Sequence, residues 1–361
     1  MINGSNQFNG DLLLLARNLR GLTQKQLIKL MDDTNITQGT LSKIEHGLLE
    51  PNQKQVELIA NALSFRKNFF FQHVPLYDFA YSFFRSRKSV SISNHKAIQA
   101  KADLYRLHIH KFLDAIEFEP ELEEISKINF VSKDPSDIAN VIKRVWNVPR
   151  GPVYNITCML ERAGIIIIPM NFGGANMDGF CHLSCDGIPP IIYINKNLPL
   201  DRYRFSLIHE LGHLLMHRIP SENQENEANT FAASFLMPDK ELQSDFSYGL
   251  SLQKFAELKK CWGVSMQALI HKAWSLGKLT DRGLKYYQIE LSKRGYRKKE
   301  PVELDNFKET PSTLSELLKV HLEELQYSEE ELCQLTGMYK DELQEMYGLK
   351  TKQKVKLRLV S

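Results

Sequence analysis

The segment Tyr203–His217, YRFSLIHELGHLLMH, constrains the chain most strongly. Phe205, Leu207, Ile208, Leu211, Leu214 and Leu215 supply enough apolar surface for a buried helix. Glu210 sits in the middle of that surface, and a buried carboxylate without a partner or a role is costly. On a helix, His209 and His213 lie one turn apart, about 6 Å along the axis and some 40° around it. Their imidazoles can therefore converge on one cation at nitrogen–metal distances of about 2.0–2.1 Å. The simpler alternative is an ordinary apolar helix that happens to carry two histidines. The apolar flanks on both sides of Glu210 weigh against it.

His209-Glu210-Leu211-Gly212-His213 is the H-E-x-x-H arrangement of zinc peptidases. Two histidines bind Zn²⁺, and Glu210 acts as general base on water whose pKa zinc lowers toward about 7. A third ligand is needed. His217 is eight residues from His209, about 12 Å along the axis, and Leu214-Leu215-Met216 offers no glycine at which the helix can break. It reads as an outer-sphere, substrate-contacting or helix-end histidine. The next apolar helix, in SENQENEANTFAASFLMP, buries Ala228, Phe231, Ala232, Phe235 and Leu236. Glu225 and Glu227 both flank that stripe, and periodicity does not choose between them.

The first seventy residues read as short capped helices. Thr23 caps a helix over Gln24–Met31. Thr37 caps a second that runs to about His46, with Leu41 and Ile44 inward and Gly47 as its stop. Another helix opens at Val56. Two short helices joined by a tight turn form a helix-turn-helix, whose second helix enters the major groove of DNA. Gln38, Thr40, Ser42 and Lys43 are its outward candidates. Gln38 can read adenine, and Lys43 can reach a guanine or a phosphate. Thr23, Gln24 and Thr37, at helix N-termini, suit phosphate oxygens. Residues 1–115 carry 15 Lys and Arg against 9 Asp and Glu, whereas the whole chain is only +3. A basic first third fits a nucleic-acid contact.

GLTQKQL, ITQGTLSKIEHG and the following P-x10-A-x-x-L resemble the Cro/repressor-type helix-turn-helix family called XRE over about residues 10–70. HELGHLLMH followed by E-A-N-x-F-A-A-x-F-L-M-P resembles the ImmA/IrrE family of metallopeptidases, with further likeness over about residues 150–300. The second resemblance implies zinc as cofactor and Glu227, directly before Ala-Asn, as third ligand. It also implies that the domain relieves repression by cutting a repressor protein. The first implies double-stranded operator DNA as partner, bound by a homodimer. The alternatives are a regulator whose zincin-like domain senses a small molecule or stress without cleaving, and an antitoxin-like autorepressor.

The rest of the chain fills in the organisation. Residues 68–84 are densely aromatic and read as core or interface, and Ala97–Leu113 reads as a helix. Residues 115–130 read as an acidic hinge. GIIIIPM (164–170) and PPIIYIN (189–195) are strands, with a shorter one in DGFCHLSCDG, where Cys181, His182 and Cys185 read as plain strand residues. A peptidase must leave its metal reachable by an extended chain beside the 189–195 strand. Residues 312–348 read as two or three short helices forming a docking or dimerisation module, and KTKQKVKLRL as a basic strand or frayed tail. Five scattered cysteines suit a reducing cytoplasm. No apolar run nears the ~20 residues of a membrane span.

The expected fold is mainly α with a small β-sheet (α+β). It divides into a helix-turn-helix domain (1–72), a helical linker (73–130), a zincin-like domain (131–300) and a helical C-terminal module (301–361).

Overall fold

The computed structural model describes residues 7–32, 36–72, 82–84, 92–174, 177–219, 221–247, 249–297, 299–305 and 309–348. The described chain is predominantly helical, with one small sheet, in keeping with the α+β expectation. It separates into two compact units. One comprises residues 1–77, 91–116 and 314–361; the other comprises 78–90 and 117–313. None of the described helices is long and apolar enough to cross a membrane.

The first unit opens with α1 (Gly10–Leu19), α2 (Gln24–Leu30), α3 (Gln38–Glu45) and α4 (Gln53–Leu63). Each begins where a side chain can satisfy the otherwise orphaned first amides. Asn9, Thr23, Thr37 and Asn52 accept those bonds, and Thr23 and Asn52 form reciprocal capping boxes with Gln26 and Gln55. α3 stops at Gly47, whose φ of 67° suits glycine. Leu12, Leu13, Ala16, Leu27, Leu41, Ile44, Ile59 and Leu63 form the core. Part of the expected turn, residues 33–35, lies outside the described residues.

The helix expected over 97–113 starts earlier, as α5 (Ile92–Leu113). It does not form a separate linker: Ala100, Leu104, Leu107 and Phe112 enter the same core as the first four helices. The C-terminal helices α14 (Thr313–Lys319), α15 (Glu329–Thr336) and α16 (Lys340–Tyr347) contribute Leu318, Leu332, Cys333 and Leu343 to it, and Met338 joins them from the turn between α15 and α16. Arg66 makes a bidentate pair with Glu330 at 2.6 and 2.8 Å, and Arg20 meets Glu342 at 2.7 Å. The segment expected to be a docking module thus docks within its own unit. The basic tail after Lys350 lies outside the described residues.

The second unit holds α6 (Pro135–Val145), α7 (Ile156–Arg162), α8 (Leu200–Met216), α9 (Gln224–Leu236), α10 (Asp239–Asp245), α11 (Leu252–Trp262), α12 (Met266–Ser275) and α13 (Asp281–Lys293). Its strands are β1 (Ser82–Phe84), β2 (Ile166–Met170), β3 (Gly179–His182) and β4 (Ile191–Asn195), in the order β1-β3-β4-β2. β2 runs parallel to β4, and β3 is antiparallel to both β1 and β4. Ile165, Ile167, Cys181, Ile192 and Ile194 pack into one core with Leu207, Ile208 and Leu211 of α8. The acidic stretch expected to be a hinge packs against this core through Leu122, Ile125, Ile128 and Phe130.

Two buried ion clusters pin α8 and α11. Arg204 and Glu309 form a fully buried pair. Glu309 also accepts from the amides of Ile156 and Thr157 at the start of α7, at 3.2 and 2.9 Å. Lys259 reaches Asp201, Glu300 and Asp305 at 3.0–3.2 Å. Paired in this way, charges tolerate a burial that would be prohibitive for either alone.

Candidate functional site

α8 and α9 lie against each other because Gly212 permits it: a Cβ there would sit 3.2 Å from Phe231 and 3.3 Å from the Ala228 backbone. The close approach brings three side chains together. His209 Nε2 and His213 Nε2 are 3.1 Å apart, and the Glu225 carboxylate lies 3.5 Å from His213 Nε2 and 3.7 Å from His209 Nε2. Both histidines are buried, and Glu225 is at the boundary. Among the described residues this is the one His/Cys/Asp/Glu group whose ligand atoms converge. Cys181, His182 and Cys185 do not join such a group.

Proton bookkeeping through the outer nitrogens tests whether the set fits a metal ion. His217 Nε2 lies 2.8 Å from the Glu227 carboxylate, which can only accept, so His217 Nε2–H donates. A neutral His217 then presents Nδ1 as an acceptor, 3.0 Å from His213 Nδ1, which must donate. His209 Nδ1 likewise donates to Asn229 Oδ1 at 3.0 Å. With Nδ1 of each ring turned to an outward partner, each Nε2 is able to offer a lone pair toward the space that the Glu225 carboxylate also faces. A cation held by both nitrogens and the carboxylate fits that arrangement. Two nitrogens bound to a tetrahedral zinc stand about 3.3 Å apart, close to the observed separation. The donor set of two imidazoles and a carboxylate suits Zn²⁺.

This geometry departs from the expectation for the third ligand. Glu227, which the family resemblance implied, is turned toward His217. Glu225 is the carboxylate that converges with His209 and His213. Two residues along a helix rotate the side chain by about 200°, so only one of the two glutamates can face the centre. Asn229, one turn beyond Glu225 on the same side of α9, was not singled out from the sequence. The i, i+4 spacing is the signal that pairs it with Glu225.

Glu210 is buried, at 3% exposure. Strand β3 passes directly beside it: a Cβ on Gly179 would lie 3.6 Å from Glu210 Cγ and only 2.9 Å from the Tyr193 carbonyl. Gly179 therefore lets β3 run close to α8. The strand expected to border a substrate, 189–195, is central instead. β4 is hydrogen-bonded on one side to β2 and on the other to β3, which leaves it no edge to offer an extended chain.

In the first unit, α3 presents Gln38 and Lys43 to solvent, with Thr40 and Ser42 half-buried. A relay the sequence reading missed fixes its N-terminus. Arg17 Nε binds Glu45 at 2.5 Å, Gln24 Nε2 donates to Glu45 at 2.7 Å, and Gln38 Nε2 donates to Gln24 Oε1 at 3.3 Å. Thr23 and Thr37 spend their hydroxyls on capping, at 3.3 Å to Gln26 N and 3.2 Å to Thr40 N.

A family model described as helix-turn-helix matches residues 13–66, and one described as IrrE N-terminal-like domain matches residues 160–273. Among curated proteins nothing matches the chain. α2–α4 and most of α1 fall within the first match, and His209, His213 and Glu225 fall within the second. One polypeptide therefore carries a segment similar to helix-turn-helix domains and a segment similar to the IrrE N-terminal-like domain.

Proposed function

We propose that this chain is a DNA-binding transcriptional regulator whose second domain is a zinc-dependent endopeptidase acting on a protein, either a repressor partner or another copy of itself. The observation that carries the reading is the convergence of the His209, His213 and Glu225 ligand atoms, with Nδ1 of each imidazole turned outward to a hydrogen-bond partner. These three residues would hold the ion, which when bound would supply Lewis acidity toward water and a peptide carbonyl. Glu210 takes the proton from water and hands it to the leaving amine. His217, Glu227 and Asn229 fix the tautomers and orientations of the two imidazoles. α3 reads operator DNA, with Gln38 toward a base edge and Lys43 toward a guanine or phosphate. A homodimer places two such helices on paired half-sites. The cytoplasm is the compartment in which such a regulator meets DNA.

Metal analysis of the purified protein tests the centre: about one zinc per chain, lost in His213→Ala. Incubation of the zinc-loaded protein with candidate partners tests the chemistry, with Glu210→Gln as control. Identical fragments from both versions would remove Glu210 from the mechanism.

One observation favours a second reading, in which the domain senses a small molecule without cleaving. A cavity of about 660 Å³ lies beside the C-terminal end of α8, lined largely by apolar residues such as Phe118, Ile128, Phe130, Ile188 and Leu215, with Arg218 among them. It is of the size that takes a small ligand. The wild type's failure to cut any partner, together with ligand-dependent DNA release, would favour this reading.

A further inference from the structure

An extended polypeptide that reaches Glu210 has few places to lie. Peptides add to sheets at strand edges, where backbone N–H and C=O groups are unpaired. In the second unit β4 has both edges taken, and the outer edge of β2 is separated from β3 by a whole strand. Each strand adds about 4.8 Å, so that edge lies some 10 Å farther from β3. β3 is the strand that touches Glu210, through Gly179. Its outer edge is therefore the one suited to presenting a backbone at the metal centre.

That edge is filled by the chain itself. β1 pairs antiparallel with β3, with Ser82 opposite His182, Phe83 opposite Cys181 and Phe84 opposite Phe180, one residue short of Gly179. β1 falls in the second unit, whereas residues 1–77 and 91–116 on either side of its stretch fall in the first. It is three residues long and is held at the end of the sheet by one neighbour. Few ladder bonds hold it, so its release costs little compared with opening β3–β4.

We infer that β1 is a resident strand standing where an extended polypeptide substrate would pair with β3, so that the domain acts on another chain only when residues 82–84 leave that edge. The inference rests on the endopeptidase reading for its consequence, but the occupancy itself can be measured separately. The partner class is a segment in extended conformation that reads the β3 backbone.

Phe83→Pro removes a backbone N–H from β1 and opposes the ladder. With zinc-loaded full-length protein and unfolded casein as probe, the variant is expected to cleave at least about tenfold faster than wild type. A synthetic peptide of residues 78–90 should suppress the variant and leave wild type unchanged. Equal rates, with no effect of the peptide on either, overturn the inference. Should both proteins be inert, labelled peptide 78–90 decides the matter. Binding to Phe83→Pro but not to wild type upholds the occupied edge and sinks the endopeptidase reading alone; binding to neither overturns the inference. Should the variant not fold, hydrogen exchange on wild type replaces it. Residues 82–84 and 179–182 must then open together and faster than 191–195, and uniform protection across all three overturns the proposal.

Discussion

His217 Nε2 stands 2.8 Å from Glu227 Oε2, a contact that sets Glu227 apart from Glu225 on the same helix. With Glu227 holding His217, and His217 holding His213, Glu225 is left as the carboxylate that faces the centre. Substituting a residue that merely orients a ligand lowers metal affinity by about 10–100-fold. Glu227→Gln is expected within that range, and Glu225→Gln beyond it, in zinc titrations against a competing chelator. The reverse order would return the third-ligand role to Glu227.

Glu210 makes a different prediction, because the proposed function has it act on a proton and leave the ion alone. Glu210→Gln should bind zinc as wild type does and lose about 10²–10⁴-fold in peptide cleavage, the usual worth of a general base. The pair of measurements matters. A variant that also loses zinc has a disturbed site, and its inactivity then says nothing about proton transfer.

Most of the fold could be read from local chemistry. Thr23 and Thr37 are capping residues whose hydrogen bonds are specified within four positions, and both begin helices in the structure; the helix expected from Val56 begins instead at Gln53, capped by Asn52. The H-E-x-x-H spacing likewise determines His209 and His213 by helix geometry alone. What failed was long-range. Glu225 and Glu227 are equally polar and equally placed on an amphipathic stripe, and only the crossing of α8 over Ala228 at Gly212 decides which one meets the histidines. The central position of β4 was hidden for the same reason: strand order is not a local property. Nothing in residues 312–348 indicated that Glu330 and Glu342 would find Arg66 and Arg20, more than two hundred residues earlier.

The proposed DNA-binding face predicts two separable kinds of contact. Lys43 is exposed on α3, so Lys43→Ala should weaken binding to all sequences similarly and reduce the salt dependence by about one ion. Gln38 is oriented by Gln24 and through it by Glu45, so Gln38→Ala should cost about 1–3 kcal/mol on the operator and relax preference at one base pair. Titrations on the selected operator and on scrambled DNA distinguish the two. A uniform loss from Gln38→Ala would mean it touches the backbone only.

Glu309 offers a test of the second unit's stability. Glu309→Gln leaves the buried Arg204 guanidinium without its charge partner, and breaking such a pair costs about 3–5 kcal/mol. In a unit of this size that corresponds to a fall in melting temperature of about 10 °C. The first unit's transition should not move. A loss below about 1 kcal/mol would show that the carbonyls of Val153 and Gly263, which also accept from Arg204, suffice to hold it.

His108 carries the pH prediction for the first unit. It is fully buried on α5, with Nδ1 2.8 Å from the Tyr347 hydroxyl, and burial, helped by the charge of Lys111, pushes its pKa down to about 3. The unfolded chain, with His near 6.5, therefore binds the proton more readily than the folded one between about pH 6.5 and pH 3. Stability from the neutral imidazole is fully present above pH 6.5 and is lost as pH falls through that window. Asp103 on the same helix works the other way: burial raises its pKa to about 7, so its contribution is present at low pH and lost as pH rises toward 7. A single melting curve would mix the two, so the comparison must be by difference. Chemical unfolding of wild type and His108→Gln at pH 7 and pH 5 should show wild type losing more stability on acidification than the variant. An equal loss in both would mean that protonation of His108 is not what separates the folded from the unfolded chain in acid.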